Sequence, residues 1–292
     1  MPELPEVQTT VNGLNKKISG LTIKSVWCDW HKLIKNTPNF HSFEQDLLKR
    51  KVLFVKRKGK NILIFLSGHK VLLVHQKMTG HLLAGRWVLG KKALPESTGP
   101  LAEKINGYIH FVIVFTNGSM MALSDVRKFA KIVQFDENKI REIKDLKGLG
   151  PDPLERKFTP ALLKKVLSKK PNGKIKQVLM DQEIVSGIGN IYSDEILWSA
   201  GIHPEKKVKD LTDPEIKKIL YFTKKILKFS IKIGGDSMSD YRNVYGKTGG
   251  YQKKHKVYRR TGQKCFRCSQ IINKIKLGGR SGHFCPKCQK LS

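Results

Sequence analysis

The chain has no run of about 18 apolar residues, so no helix of it is expected to span a bilayer. Nor does it open with a charged stretch followed by an apolar one, so no secretory signal is expected. Acidic residues are scarce: 24 Asp+Glu stand against 56 Lys+Arg, a formal net charge of +32. A chain this basic attracts polyanions, with nucleic acid the first candidate and an anionic membrane surface the second. The basic residues are spread along the whole length, and a general bias toward Lys accounts for the scattered ones equally well. No internal repeat is evident. Cysteine is sparse as well, and four of the five lie in the last 28 residues. With no sign of secretion, a disulfide framework is disfavoured.

What cysteine there is carries a pattern. Cys265 and Cys268 are two residues apart, as are Cys285 and Cys288, with 16 residues between the pairs. That spacing is the four-thiolate zinc arrangement, and it predicts one structural Zn2+ with no open coordination position. Cys28 follows Val26-Trp27 and reads as a buried strand residue.

At 292 residues the chain is long enough for two domains, each with a core. Val7, Val11, Leu14 and Ile18 recur at helical spacing behind Pro2 and Pro5, predicting an amphipathic helix over 2–19. Residues 21–135 read as β, with strands at 21–30, 51–56, 61–66, 70–75, 108–115 and 119–123 and hairpin cues at Ser67-Gly68 and Asn117-Gly118. Many short antiparallel strands predict a sandwich or flattened barrel. Residues 90–106 read as a surface loop. The polar stretch 136–152, ending Gly148-Leu149-Gly150-Pro151-Asp152, reads as a linker. Helices are predicted at 160–168, 175–185, 190–200 and 214–233. Residues 234–262 return to Gly, Ser, Tyr and basic residues, too long a loop to be a mere connector.

The first six residues, Met1-Pro2-Glu3-Leu4-Pro5-Glu6, carry the chemistry. A small residue at position two favours removal of the initiator Met, which leaves Pro2 as a free secondary amine. A neutral amine attacks a sugar carbon and forms an imine. An α-amino group titrates at about 7.7–8.0, and the positive end of a helix dipole opposes its protonation. Glu3 is adjacent and placed to move protons. As helix residues alone, Pro and Glu also suit a first turn.

The Pro2-Glu3 start, a β-rich half, the helical segment with Gly187-Ile188-Gly189-Asn190-Ile191-Tyr192 and the terminal zinc hairpin stand in one order. Together they closely resemble the bacterial-type formamidopyrimidine-DNA glycosylase family, whose sister group is endonuclease VIII. The resemblance covers essentially the whole chain and implies an α+β fold: an N-terminal helix and antiparallel β-sandwich, a helix-two-turn-helix domain, and a zinc-finger hairpin. The expected domains are a catalytic sandwich at 1–135, a linker at 136–152, a DNA-binding domain at 153–262 with a lesion-capping loop near 236–261, and the finger at 263–292. The implied activity is excision of oxidised bases followed by strand cleavage at the abasic site. The implied partner is double-stranded DNA bearing an oxidised base or abasic site. A monomer in the cytoplasm, associated with the nucleoid through DNA, is expected.

Residue by residue, the resemblance implies Pro2 as nucleophile at C1′ and Glu3 as general acid/base. It makes Lys60, in Arg57-Lys58-Gly59-Lys60, and Arg280, in Gly278-Gly279-Arg280-Ser281-Gly282, phosphate ligands that assist the chemistry. His75, His110, Lys176 and Asn190 match DNA phosphate contacts; Asn190 also opens a helix after two glycines, a natural anion site. Met78, Arg127 and Phe129 match the residues that fill the gap left by the extruded base. Met is flexible and apolar, Arg bonds an orphaned base, and Phe wedges into the stack. The chain departs from the family in having Tyr108-Ile109-His110 for His-Asp-His, Ala130 for Gly and Gln177 for Pro. The segment Gly246-Lys247-Thr248-Gly249-Gly250-Tyr251 favours 8-oxoguanine and formamidopyrimidines as lesions. Oxidised pyrimidines are the alternative, and a non-catalytic damaged-DNA-binding protein is a further one.

Overall fold

The computed structural model describes residues 1–291 as two compact units, 1–147 with 233–250, and 148–232 with 251 onward. Among them no helix is long and apolar enough to cross a membrane.

The first unit opens with α1 (Leu4–Ile18), capped by Glu3 rather than beginning at Pro2. Its apolar stripe, Val7, Val11, Leu14 and Ile18, is almost wholly buried in the main core. Two sheets follow. One is β1 (Ile23–Cys28), β9 (Ile109–Phe115), β10 (Met120–Ser124) and β6 (His81–Gly85), in that order and antiparallel. The other is β2 (Ile34–Lys35), β11 (Lys131–Asp136), β5 (Lys70–His75), β4 (Asn61–Leu66) and β3 (Val52–Lys58), antiparallel except for the β2–β11 pair. This is the sandwich expected.

Several elements were not in the pattern reading. The helix α2 (Phe40–Leu47) is capped by Asn39, whose side chain accepts from Ser42 N at 2.8 Å. The strands β6 and β11 were also missed. Residues 90–106 are not a plain loop. A small ladder of β7 (Trp87–Leu89) and β8 (Ala93–Pro95) precedes two short turns. Trp87 and Ala93 cover a second apolar cluster with Leu83, Ile109, Val112 and Ala122. That cover explains why β9 is apolar on both faces instead of alternating. Residues 136–147 are docked rather than free: Leu146 is buried and Asp145 pairs with Lys131. Cys28 is half-buried, and burial pushes its thiol up to about 12.

The second unit holds α3 (Pro160–Leu167), α4 (Ile175–Met180), α5 (Asn190–Ala200) and α6 (Asp213–Lys232). The helix expected to reach 185 stops at Met180. Gln182 explains the stop, since its amide donates to Met180 O and Ile188 O and accepts from Gly187 N at 2.8 Å. One side chain thus braces the whole turn between α4 and α5. The unit closes with the hairpin β12 (Asn273–Leu277) and β13 (Arg280–Phe284).

Candidate catalytic and nucleic-acid site

In the first unit the start of α1 builds the reactive end. Pro2 and Glu3 are buried, Glu3 being 3% exposed. Glu3 N donates to Glu6 Oε2 at 2.8 Å in a reciprocal capping box. The other Glu6 oxygen accepts from Asp236 N at 2.8 Å, so this buried carboxylate ties the helix start to the 233–250 segment. With Met1 in place, burial holds the terminal amine below its ordinary value of 8.0, against the pull of Glu3, Glu6 and Asp240. Burial there disfavours the charged form of the Met1 amine.

Lys60 sits in the two-residue turn between β3 and β4, whose first residue, Gly59, has φ +58°. Glycine supplies that conformation without a Cβ clash. His75 ends β5. Its Nδ1 accepts from Lys77 N at 2.9 Å, which leaves the proton on Nε2 in the neutral ring. Burial lowers its pKa to about 4, so the ring stays neutral near pH 7 and offers Nε2–H to an anion. His110 is buried and turns Nδ1 to Asp29 Oδ1 at 2.8 Å, leaving its buried Nε2 without a partner among the described residues.

The three expected gap-filling residues occupy two turns of like build. Lys77 and Lys128, immediately before Met78 and Phe129, both adopt left-handed backbone, φ 54° and 57°. Phe129 is 52% exposed, and the Arg127 guanidinium lies over its ring at 4.4 Å. Asp125, 2% exposed, joins the turns: one oxygen accepts from the Thr79 hydroxyl and Arg127 N, the other from Ala130 N at 2.7 Å. The sequence motif contained Asp125 but gave no sign of this role, because its partners come from both turns. Asp125→Ala strands the buried Thr79 hydroxyl and the buried Ala130 amide, whereas Arg127 N keeps the Thr79 oxygen at 3.2 Å. We expect it to cost about 3 kcal/mol, read as a lowered urea midpoint at unchanged m-value.

In the second unit Asn190 opens α5 behind Gly187 (φ +95°) and Gly189, with its buried Oδ1 unpartnered among the described residues. Lys176, matched to a phosphate contact by the resemblance, lies inside the protein. Its side chain is wholly buried, and Nζ donates to Asp194 Oδ1 at 2.7 Å, Ser193 Oγ at 2.9 Å and Asn190 O at 3.3 Å. A buried ammonium must be paired, and Asp194 neutralises it, so in this arrangement it makes no outward phosphate contact. The other Asp194 oxygen accepts from His283 N at 3.0 Å and approaches His283 Nδ1 at 2.8 Å, clamping β13 onto α5. Glu195, next along, accepts from Lys256 N, Val257 N and Tyr258 N, and so fixes that stretch of backbone. Neither acid stood out in sequence.

Gly278 and Gly279 have φ +52° and +73°, a two-residue turn that needs both glycines. It puts exposed Arg280 at the first position of β13, at the hairpin tip. Gln177, the departure from Pro, lies against Gly278. The hairpin is rooted in cysteine: Cys265, Cys268, Cys285 and Cys288 place their sulfurs within 4.8 Å of one another. Three sulfur pairs lie at 3.4–3.9 Å. Zinc bonded to four thiolates at about 2.3 Å sets sulfurs about 3.8 Å apart, so the set fits one structural Zn2+.

An amine-end helix on a β-sandwich, two helices joined by a braced turn and a four-thiolate finger define a helix-two-turn-helix, zinc-finger protein. Comparison with known proteins agrees segment by segment. Residues 1–132 match the formamidopyrimidine-DNA glycosylase N-terminal domain, 149–242 its H2TH domain, and 262–291 the zinc finger found in FPG and IleRS. The chain belongs to the formamidopyrimidine-DNA glycosylase family. The Streptococcus pneumoniae (strain R6) formamidopyrimidine-DNA glycosylase is 37% identical over 292 residues, covering 99% of each chain. A mutant of the Lactococcus lactis enzyme, solved with DNA containing Fapy-dG, superposes with TM-score 0.86 at 32% identity over 99% of this chain and 100% of that one. The Lactococcus lactis enzyme with abasic-site DNA gives 0.85 at 31% identity over 99% of both.

Proposed function

We propose that this chain removes oxidised purines, 8-oxoguanine and formamidopyrimidines, from double-stranded DNA through an imine on Pro2, and then cleaves the strand. As a member of its family it is a base-excision-repair DNA glycosylase and AP lyase. The observation that carries the reading is a Pro2-Glu3 pair buried at the start of α1 in a chain whose family match runs from end to end. The DNA partners of the Lactococcus lactis relatives, a Fapy-dG-containing DNA and an abasic-site-containing DNA, correspond to substrate and intermediate of that reaction.

The steps fall to named groups. Removal of Met1 frees the Pro2 nitrogen, and its lone pair attacks C1′. The base departs with a proton, and Glu3 supplies the proton that opens the sugar ring. The resulting iminium draws electrons from C2′, so a proton leaves there and the 3′ phosphate is expelled. A second elimination expels the 5′ phosphate, and water releases Pro2. Lys60, with Arg280 on the finger, holds the phosphates at which charge develops. His75, His110 and Asn190 bind flanking phosphates, and Met78, Arg127 and Phe129 fill the gap left by the extruded base. The domain plan expected from sequence serves this reading, with part of the lesion-capping segment, 236–250, carried by the catalytic unit. The enzyme acts as a monomer in the cytoplasm, held at the nucleoid by DNA.

Borohydride added during reaction with an 8-oxoguanine duplex is expected to trap a protein–DNA adduct, and peptide mapping to place it on Pro2. An adduct on a lysine, or none, rejects the assignment.

A further inference from the structure

The helix α6 has an outer face that the lesion chemistry leaves unused. Ile216, Ile219, Leu220, Thr223, Leu227 and Ser230 are its buried residues. Lys217, Lys218, Lys225, Lys228 and Lys232 are exposed, with Tyr221 and Phe229 between them at 58% and 42% exposure. At about 100° per residue, these seven fall in one sector of about 120°, opposite the buried one. From Ile216 to Lys232 there is no acidic residue. Asp213, one turn before Lys217, is already paired with Lys164 at 2.6 Å. Among the described residues no salt bridge holds any of the five lysines. The Lys225 ammonium lies 5.5 Å from the centre of the Tyr221 ring.

We propose that this face is a second, lesion-independent contact for nucleic acid. It takes the phosphates of a further DNA segment along the lysine row, and unpaired bases stack on Tyr221. The charge identifies a polyanion, and the face spans about 22 Å, the length of about six nucleotides at 3.4 Å each. Aromatic rings set among lysines are the features that bind single strands without regard to sequence. A lipid surface fits less well. Binding there draws on a broad apolar face, and the aliphatic residues Ile216, Ile219, Leu220 and Leu227 of α6 are consumed in the core, which leaves only Tyr221 and Phe229 among the lysines. A second contact lets the enzyme hold one DNA segment while engaging another.

The test uses the full-length zinc-loaded protein, saturated with a short duplex carrying a stable abasic-site analogue. A fluorescent 20-nucleotide DNA, single-stranded or duplex and free of lesions, is then titrated in. A ternary complex is expected, with a log–log salt slope of about −3.5 for the single strand if all five lysines engage. Replacing the five together (Lys217→Gln, Lys218→Gln, Lys225→Gln, Lys228→Gln, Lys232→Gln) should weaken this second binding at least tenfold. Tyr221→Ala should weaken the single strand and spare the duplex. Excision from a short lesion duplex should be unchanged in both variants, so the outcome reads α6 apart from the lesion site. Absence of a ternary complex, or equal second binding by the five-lysine variant, overturns the proposal. So does loss by that variant of binding to phosphatidylserine vesicles with second-DNA binding intact.

Discussion

Glu3→Gln is expected to lower base excision by about 10²–10⁴-fold, the usual contribution of a positioned proton donor, while sparing part of the lyase activity on a preformed abasic site. The change is nearly isosteric. The substituted amide keeps an acceptor oxygen for the first turn of α1, and the Glu3 N to Glu6 Oε2 bond at 2.8 Å involves only backbone at this position. Fold and capping should therefore survive, which melting checks. What disappears is the exchangeable proton beside the Pro2 nitrogen. Base loss needs that proton as the ring opens, whereas imine formation at an abasic aldehyde depends chiefly on the neutral amine. Single-turnover rates on an 8-oxoguanine duplex and on an abasic duplex separate the two. Equal loss of both activities would assign Glu3 to the fold or to DNA binding instead.

Removing zinc is expected to unfold the 263–291 hairpin and to weaken DNA binding sharply, although almost all of the +32 charge remains. The local core is small: Trp198, Val257, Cys265, Ile272 and Cys285, two of them zinc ligands. The Asp194–His283 clamp, the Arg267 bonds to Trp198 O and Ser199 O, and the Gln289 bond to Ile202 O tie the hairpin to its neighbours at a few points. Metal binding supplies much of the folding energy of so short a segment. Arg280→Ala, with zinc retained, should cost about 1.5–3 kcal/mol, the worth of a charge-assisted bond, or about 10–100-fold in affinity. With about six phosphates neutralised, the intact protein should show a log–log salt slope of about −5, and Arg280→Ala should reduce it by about one unit. Binding isotherms at several salt concentrations, beside a zinc assay, measure both. An unchanged slope in Arg280→Ala would leave the finger a structural element and move the phosphate ligand elsewhere.

Short-range patterns were legible before any coordinates. The 2-16-2 cysteine spacing defines a thiolate set because two-residue gaps bring sulfurs together whatever surrounds them. Ser67-Gly68 and Asn117-Gly118 mark turns because glycine adopts their left-handed backbone cheaply. The stripe Val7-Val11-Leu14-Ile18 marks α1 because one helix face must be buried. The zinc site, the sandwich and the order of domains all follow from signals of this local kind.

Other features depend on partners distant in sequence. Periodicity did not reveal β11, whose place is between β5 and a two-residue parallel partner. Nor could it show that Val244 packs into the core beside Gly13, or that Asp236 bonds Glu6, joining the 233–250 segment to the first unit. The resemblance made Lys176 a phosphate ligand. Only the approach of Asp194, 18 residues on, shows its charge already neutralised inside the protein. Asp125 likewise is one more acid in a basic chain until Thr79, 46 residues away, meets it. By itself the sequence determined the elements and residue types that this chemistry requires. Which charges face outward, and which are spent holding turns and helices in place, was decided by tertiary structure, because burial and pairing depend on neighbours that the chain brings together only by folding.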